Sequence, residues 1–127
     1  EMFLAFSLGA DGRPQLLTAR AVASAFQARD AVIVLSGCGS GSGDALPGAG
    51  LQGFAQSWLA AGARAVVASL WPVADDTGDF FEHFYQRLAA GKPAGEALAG
   101  ARMASLESGT WRSRPSVWAG YFSMGKE

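Results

Sequence analysis

The sequence has 127 residues, of which half are apolar and 17% are charged, so it describes a globular domain and excludes a disordered chain. A formal net charge of −1 excludes the basic surface that nucleic acids require, and no apolar run approaches the ~20 residues that span a bilayer. The single cysteine excludes an internal disulfide and fits a reducing compartment, and with the single histidine it excludes an ordinary structural zinc site. We therefore expect a cytoplasmic protein without a metal or cofactor.

The first third of the chain predicts a strand and a helix. A strand over residues 2–8 runs into Asp11-Gly12, which is a turn signal. Thr18 is a suitable N-cap for an alanine-rich helix over about 19–28. Because a strand follows Glu1 directly, we expect the 127 residues to be part of a longer polypeptide.

The rest of the chain alternates between strands and helices. Strands are predicted at 31–36, 64–70 and 118–124. Helices are predicted at about 50–61 and 77–90, and another begins at Pro93 and runs to Glu107. This alternation predicts an α/β sandwich with a largely parallel sheet.

Cys38 lies where the apolar strand 31–36 runs into a glycine-rich loop. Ligands bind at the carboxyl ends of strands in open α/β sheets, and the flanking glycines allow another backbone to approach closely. Cys38 is therefore a candidate nucleophile. The alternative is a buried free cysteine that acts as a small hydrophobic side chain.

The glycine-rich loop does not match the established phosphate-binding or hydrolase motifs. Residues 39–43 give Gly-x-Gly-x-Gly, without the Gly-x-Gly-x-x-Gly or Gly-Lys-Ser/Thr of nucleotide sites. The Gly-x-Ser-x-Gly of a nucleophile elbow is absent too. A nucleotide binder or an acyl hydrolase is therefore a minor alternative.

A cysteine nucleophile needs a base, which is usually a histidine. The only histidine is His83, in the middle of the predicted helix 77–90 and off its apolar face. We interpret His83 as a surface residue. The base must then lie outside this chain, or there is none.

Three segments of the sequence resemble the CHAT domain, a caspase-like module of the clan that contains caspases and separases. They are Leu35-Ser36-Gly37-Cys38, the string from Gly50 to Val73, and the ending Trp118-Ala119-Gly120-Tyr121-Phe122-Ser123-Met124-Gly125. The resemblance extends over nearly the whole chain. It implies a caspase-like three-layer sandwich that is incomplete in this chain, with residues 1–127 as the C-terminal part of one peptidase domain.

The same resemblance implies that Cys38 is the nucleophile of a His–Cys dyad. The family's histidine lies just upstream of the strand that opens this chain, and the backbone N–H of Cys38 helps to form the oxyanion hole. Many CHAT domains carry a glutamate and a threonine where this chain has Gly39-Ser40-Gly41. That departure affects the shape of the pocket and leaves the nucleophile in place.

Two further groups are candidate substrate contacts. Ser69-Leu70-Trp71 ends a strand where an extended substrate could pair by β-augmentation; the alternative is a plain core strand and loop. The resemblance assigns Asp75 to the acidic position that receives a basic P1 side chain, and Asp76 follows it. A carboxylate binds a guanidinium through a bidentate fork. The alternative is that either aspartate caps the next helix.

These features together predict a cysteine endopeptidase module that cleaves after a basic P1 residue. Its partners would be a protein or peptide substrate and the remainder of the same domain, either as an upstream segment or as a second chain. The competing interpretation is a non-catalytic CHAT module that acts as a recognition or assembly platform.

Overall fold

A computed structural model describes residues 3–36, 49–73 and 76–126, with the side chains of 49–52 excepted. The strands are β1 (Phe3–Leu8), β2 (Pro14–Thr18), β3 (Val32–Leu35), β4 (Ala65–Ser69) and β5 (Tyr121–Gly125). The helices are α1 (Ala19–Ala25), α2 (Ala49–Ala60), α3 (Gly78–Ala89), α4 (Ala94–Glu107) and α5 (Pro115–Trp118), and a short 3-10 turn spans Trp111–Ser113. No helix in the described part of the chain is both long enough and apolar enough to cross a membrane.

The main sheet has three strands in the order β3-β4-β5. β3 and β4 are parallel, with Leu35 opposite Ala68, as expected for an α/β fold. β5 is antiparallel to β4, with Tyr121 opposite Ser69. The expectation of a largely parallel sheet is therefore only partly met, because β5 enters the sheet from the carboxyl end of β4.

The main sheet has one apolar cluster on each face, because successive side chains of β4 point to opposite faces. Val67 packs against α3 and α4 in a cluster. The largest buried members of this cluster are Phe80, Phe84 and Tyr121. Val66 packs in a second cluster with α1 and α2. Helices thus cover both faces of the sheet, as the α/β prediction requires.

Two elements differ from the sequence prediction near the ends of the chain. β1 and β2 form a separate antiparallel hairpin around the Asp11-Gly12 turn, and the sequence analysis did not identify β2. The last strand begins at Tyr121, since Pro115–Trp118 forms the short helix α5 with proline at its start. Proline suits a first helical turn because its missing N–H has no helical partner there.

Candidate active-site edge

The described residues that border the predicted site lie at one edge of the main sheet. The carboxyl ends of β3 and β4 meet there because the two strands are parallel and in register. The amino end of β5 joins them, since Tyr121 lies opposite Ser69. We call this region the active edge. Cys38, the predicted nucleophile and oxyanion donor, follows β3 in the sequence and lies outside the described residues.

Ser69 is the last residue of β4 and is fully buried. Its Oγ has no hydrogen-bond partner among the described residues. A buried hydroxyl without a partner costs about 1–3 kcal/mol, so this group is available to a ligand or water at the active edge. Because Leu70 bonds to the β5 side and backbone groups alternate along a strand, the N–H and C=O of Ser69 face the β3 side.

Leu70 and Trp71 are tied to the start of β5. The N–H of Leu70 donates to the carbonyl oxygen of Gly120 at 2.7 Å. The Trp71 indole lies over the same glycine, since a Cβ added at Gly120 would be 2.8 Å from the indole Nε1. Trp71 keeps 39% of its surface exposed, and it therefore presents an aromatic surface beside the active edge.

Asp75 lies outside the described residues, whereas Asp76 is described. The carboxylate of Asp76 is 69% exposed and lies 3.8 Å from a terminal guanidinium nitrogen of Arg112. The N-cap position of α3 belongs to Thr77, so Asp76 does not cap this helix. Asp76 is thus an accessible carboxylate near the active edge, and Arg112 is a cationic neighbour.

The segment between Trp71 and α3 is held at both of its described ends. Val73 is buried in the cluster with α3 and α4. Beyond Asp76, the Tyr121 hydroxyl donates to Thr77 Oγ1 at 3.4 Å, and the Tyr121 ring stacks on Phe80 with centroids 4.8 Å apart. The start of α3 is therefore fixed to the amino end of β5.

Arg112 is a residue of this region that the sequence analysis did not single out. Its Nε lies 3.0 Å from Asp79 Oδ2 in the first turn of α3, and its guanidinium carbon is 4.9 Å from the Trp111 ring centroid. The contact with Asp79 joins segments that are distant along the chain. The sequence carries only a local signal at this position, which is the capping residue Thr110. In the structure, Thr110 Oγ1 accepts a hydrogen bond from the Arg112 N–H at 3.2 Å.

His83 lies on the exposed side of α3, in agreement with its interpretation as a surface residue. Its carbonyl oxygen accepts a hydrogen bond from the guanidinium Nη1 of Arg87 at 3.0 Å. Among the described residues, no group of three or more histidine, cysteine, aspartate or glutamate side chains is arranged to hold a metal ion. The described part of the active edge holds the Ser69 hydroxyl, the Trp71 indole and the Asp76 carboxylate.

Comparison with protein families matches residues 1–126 to the CHAT domain. The chain is also similar to human tetratricopeptide repeat protein 28, with 35% identity over 96 residues, or 75% of this chain and 4% of that protein. It is 38% identical over 79 residues to the mouse protein of the same name, covering 61% of this chain and 3% of that protein. The chain thus spans a small fraction of the curated relatives that it matches. It belongs to the CHAT domain family.

Proposed function

We propose that this chain supplies the nucleophile portion of a caspase-like cysteine endopeptidase. The observation that carries the proposal is the parallel register of β3 and β4, in which Leu35 lies opposite Ala68. Cys38 follows β3 by three residues, and the segment Ser69-Leu70-Trp71 ends β4 at the same edge of the sheet. Membership of the CHAT family supports the same interpretation.

In the proposed reaction, the thiolate of Cys38 attacks the scissile carbonyl carbon. A histidine outside these 127 residues takes the thiol proton and returns it to the leaving amine as the C–N bond breaks. Water then hydrolyses the thioester and releases the acid product and Cys38. The backbone N–H of Cys38 would stabilise the oxyanion that forms in both steps.

We propose that the substrate is an extended peptide with a basic P1 side chain. β3 ends at Leu35, opposite Ala68, so the substrate strand would pair beyond this end of β3 and pass the exposed indole of Trp71. Asp75 and Asp76 would attract the basic side chain, and charge-assisted hydrogen bonds would favour arginine over neutral residues.

The described fold also supports a role for the remainder of the domain. Each residue of β3 is partly exposed, and β3 pairs with β4 alone among the described strands. We propose that a further strand from the longer polypeptide, or from a second chain, pairs with the outer edge of β3 and completes a caspase-like three-layer sandwich. The single cysteine favours a reducing compartment such as the cytoplasm.

Activity is tested on the longer protein that contains this chain, with fluorogenic peptides varied at P1. Cleavage should prefer arginine or lysine, and Cys38→Ala should abolish it because no nucleophile remains. The matched control is His83→Ala, which should retain nearly full activity since His83 is exposed on α3. Unchanged cleavage by Cys38→Ala, or loss of activity in a folded His83→Ala protein, would contradict the proposal.

The proposed strand at the outer edge of β3 is tested by amide hydrogen exchange. The N–H of Ala65 points to Ala31 O, so the N–H groups of Val32 and Val34 point away from β4, whereas those of Ile33 and Leu35 point toward it. In the 127-residue chain, Val32 and Val34 should exchange faster than Ile33 and Leu35. In the longer protein all four should be protected, and continued fast exchange of Val32 and Val34 there would argue against a covering strand.

A non-catalytic CHAT module is the second candidate function. The names of the matched relatives describe a repeat protein and mention no peptidase, and this observation favours a recognition or assembly platform. Such a module should bind its partner equally well with Cys38→Ala. An intact protein that cleaves no peptide of the library and still captures a partner would favour this candidate over the peptidase.

A further inference from the structure

Arg112 is a cation fixed beside the carboxylates at the start of α3. Its Nε is shielded from solvent and lies 3.0 Å from Asp79 Oδ2, an ion pair by distance whose geometry is not that of a hydrogen bond. The guanidinium also lies over the Trp111 ring, and the Arg112 backbone N–H donates to Thr110 Oγ1. These contacts hold both the backbone and the side chain of Arg112 and place its positive charge beside Asp76 and Asp79.

The second carboxylate near Arg112 is held much less tightly. Asp76 lies 3.8 Å from the guanidinium and its side chain is 69% exposed. An exposed ion pair at this distance contributes little because water screens it. Asp76 can therefore accept a ligand cation, but that cation must approach the fixed positive charge of Arg112.

We propose that Arg112 is a specificity-determining residue that weakens the binding of a cationic side chain at Asp76. The inference rests on the proposed function in taking a basic peptide side chain as the ligand. Arg112 neutralises part of the negative charge that Asp76 and Asp79 present, so a peptide binds less tightly than those carboxylates alone would allow. A charge-removing change at Arg112 should then increase affinity for arginine peptides, with little effect on neutral ones.

Binding is measured by fluorescence anisotropy on the longer protein carrying Cys38→Ala, so that no cleavage occurs. The probes are two labelled hexapeptides, one with arginine at P1 and one with citrulline, which has nearly the same shape without the charge. Arg112→Gln should lower the Kd of the arginine peptide about threefold, which corresponds to about 0.7 kcal/mol, and leave that of the citrulline peptide unchanged. Raising the salt concentration should reduce this difference, because salt screens exposed charges.

Arg114→Gln is the matched control, because Arg114 is exposed and close in sequence and the variant loses the same charge. Arg114→Gln should change the Kd of the arginine peptide far less than Arg112→Gln does. Arg112→Lys keeps the charge and should resemble the wild type. Adding Asp76→Asn to Arg112→Gln should remove the gain, which identifies Asp76 as the group that Arg112 affects.

Equal shifts in Arg112→Gln and Arg114→Gln would overturn the inference, as would no preference for arginine in either the parent protein or Arg112→Gln. Weaker binding of both peptides by Arg112→Gln would also overturn it, since Arg112 would then only support the loop. Cleavage by the protein with Cys38 intact is measured separately. Absence of cleavage with the predicted binding shifts would remove the proposed peptidase function and leave this inference standing.

Discussion

β3 and β4 have similar apolar sequences but very different surroundings. All residues of β4 are buried, and the strand is paired on both sides. All residues of β3 are partly exposed, and β4 is its only partner in the described part of the chain. The contrast shows that strand burial depends on the neighbouring elements, and that apolar composition alone does not determine it.

The C-terminal and N-terminal parts of the molecule also differ in how far their apolar side chains are buried. The cluster around α3 and α4 contains aromatic side chains that are almost fully buried, including Phe80, Phe84 and Tyr121. The β1-β2 hairpin contributes Leu4 and Leu17 to the other cluster, yet it leaves several large apolar side chains half exposed: Phe3, Phe6, Leu8 and Leu16. The C-terminal part thus contains an almost fully buried aromatic cluster, whereas the large apolar side chains of the N-terminal hairpin stay about half exposed.

Phe84→Ala should give the largest loss of stability, because it empties a fully buried position between α3, α4 and β4. Truncation of a core phenylalanine costs about 3–5 kcal/mol. Phe6→Ala is the matched change at a residue that is 57% exposed, and it should cost less than about 1 kcal/mol in the 127-residue chain. Both values are measured by urea denaturation.

The proposed longer polypeptide would sharpen this comparison. If its additional residues cover the hairpin, Phe6→Ala should become more destabilising there than in the 127-residue chain. An equally small cost in both proteins would mean that the outer face of the hairpin stays uncovered. Equal costs for Phe84→Ala and Phe6→Ala in the 127-residue chain would contradict the packing described for its two ends.

Gly125→Ala should have an intermediate effect. The added Cβ would lie 2.7 Å from the Ala65 Cα and would collide with the Arg64 carbonyl, at a backbone φ of 134° that favours glycine. Strain of this kind costs about 1–3 kcal/mol. Gly12→Ala is the control, since Gly12 also has a positive φ but open space around it, and thermal denaturation should show a smaller loss there. A larger loss for Gly12→Ala would contradict the close approach of β5 to β4.

Thr18→Ala should have the smallest effect. Thr18 Oγ1 accepts a hydrogen bond from the Ala21 N–H at 3.1 Å and caps α1 in the less tightly packed part of the molecule. Loss of such a cap costs about 1 kcal/mol. Thr18→Ser keeps the oxygen and should unfold at nearly the wild-type urea concentration. If Thr18→Ser is as unstable as Thr18→Ala, then packing of the methyl group would matter more than the cap.

Much of the fold could be predicted because its signals are local. The β-branched runs predicted β3 and β4, and Gly62 and Gly91 adopt the positive φ expected after a helix end. The second strand of the hairpin was missed although the Asp11-Gly12 turn had been identified. The antiparallel β5 could not be predicted, because its direction depends on the path of the chain after α4.

Less of the candidate site than of the fold could be predicted from the sequence. The position of Ser69-Leu70-Trp71 at the end of a buried strand follows from a local pattern, whereas Arg112 reaches Asp76 and Asp79 only through tertiary packing. The assignments of Cys38 and Asp75 stay predictions, because both residues lie outside the described part of the chain.

The outer edge of β3, which no described strand covers, matters for folding during synthesis. An apolar strand with unpaired backbone groups can add a strand from any nearby chain, including another copy of itself. Pairing with the rest of its own polypeptide is favoured by the high effective concentration that a covalent tether provides. During synthesis, the proposed covering segment would therefore compete with aggregation, and making that segment first would protect the Val-Ile-Val-Leu strand as soon as it emerges.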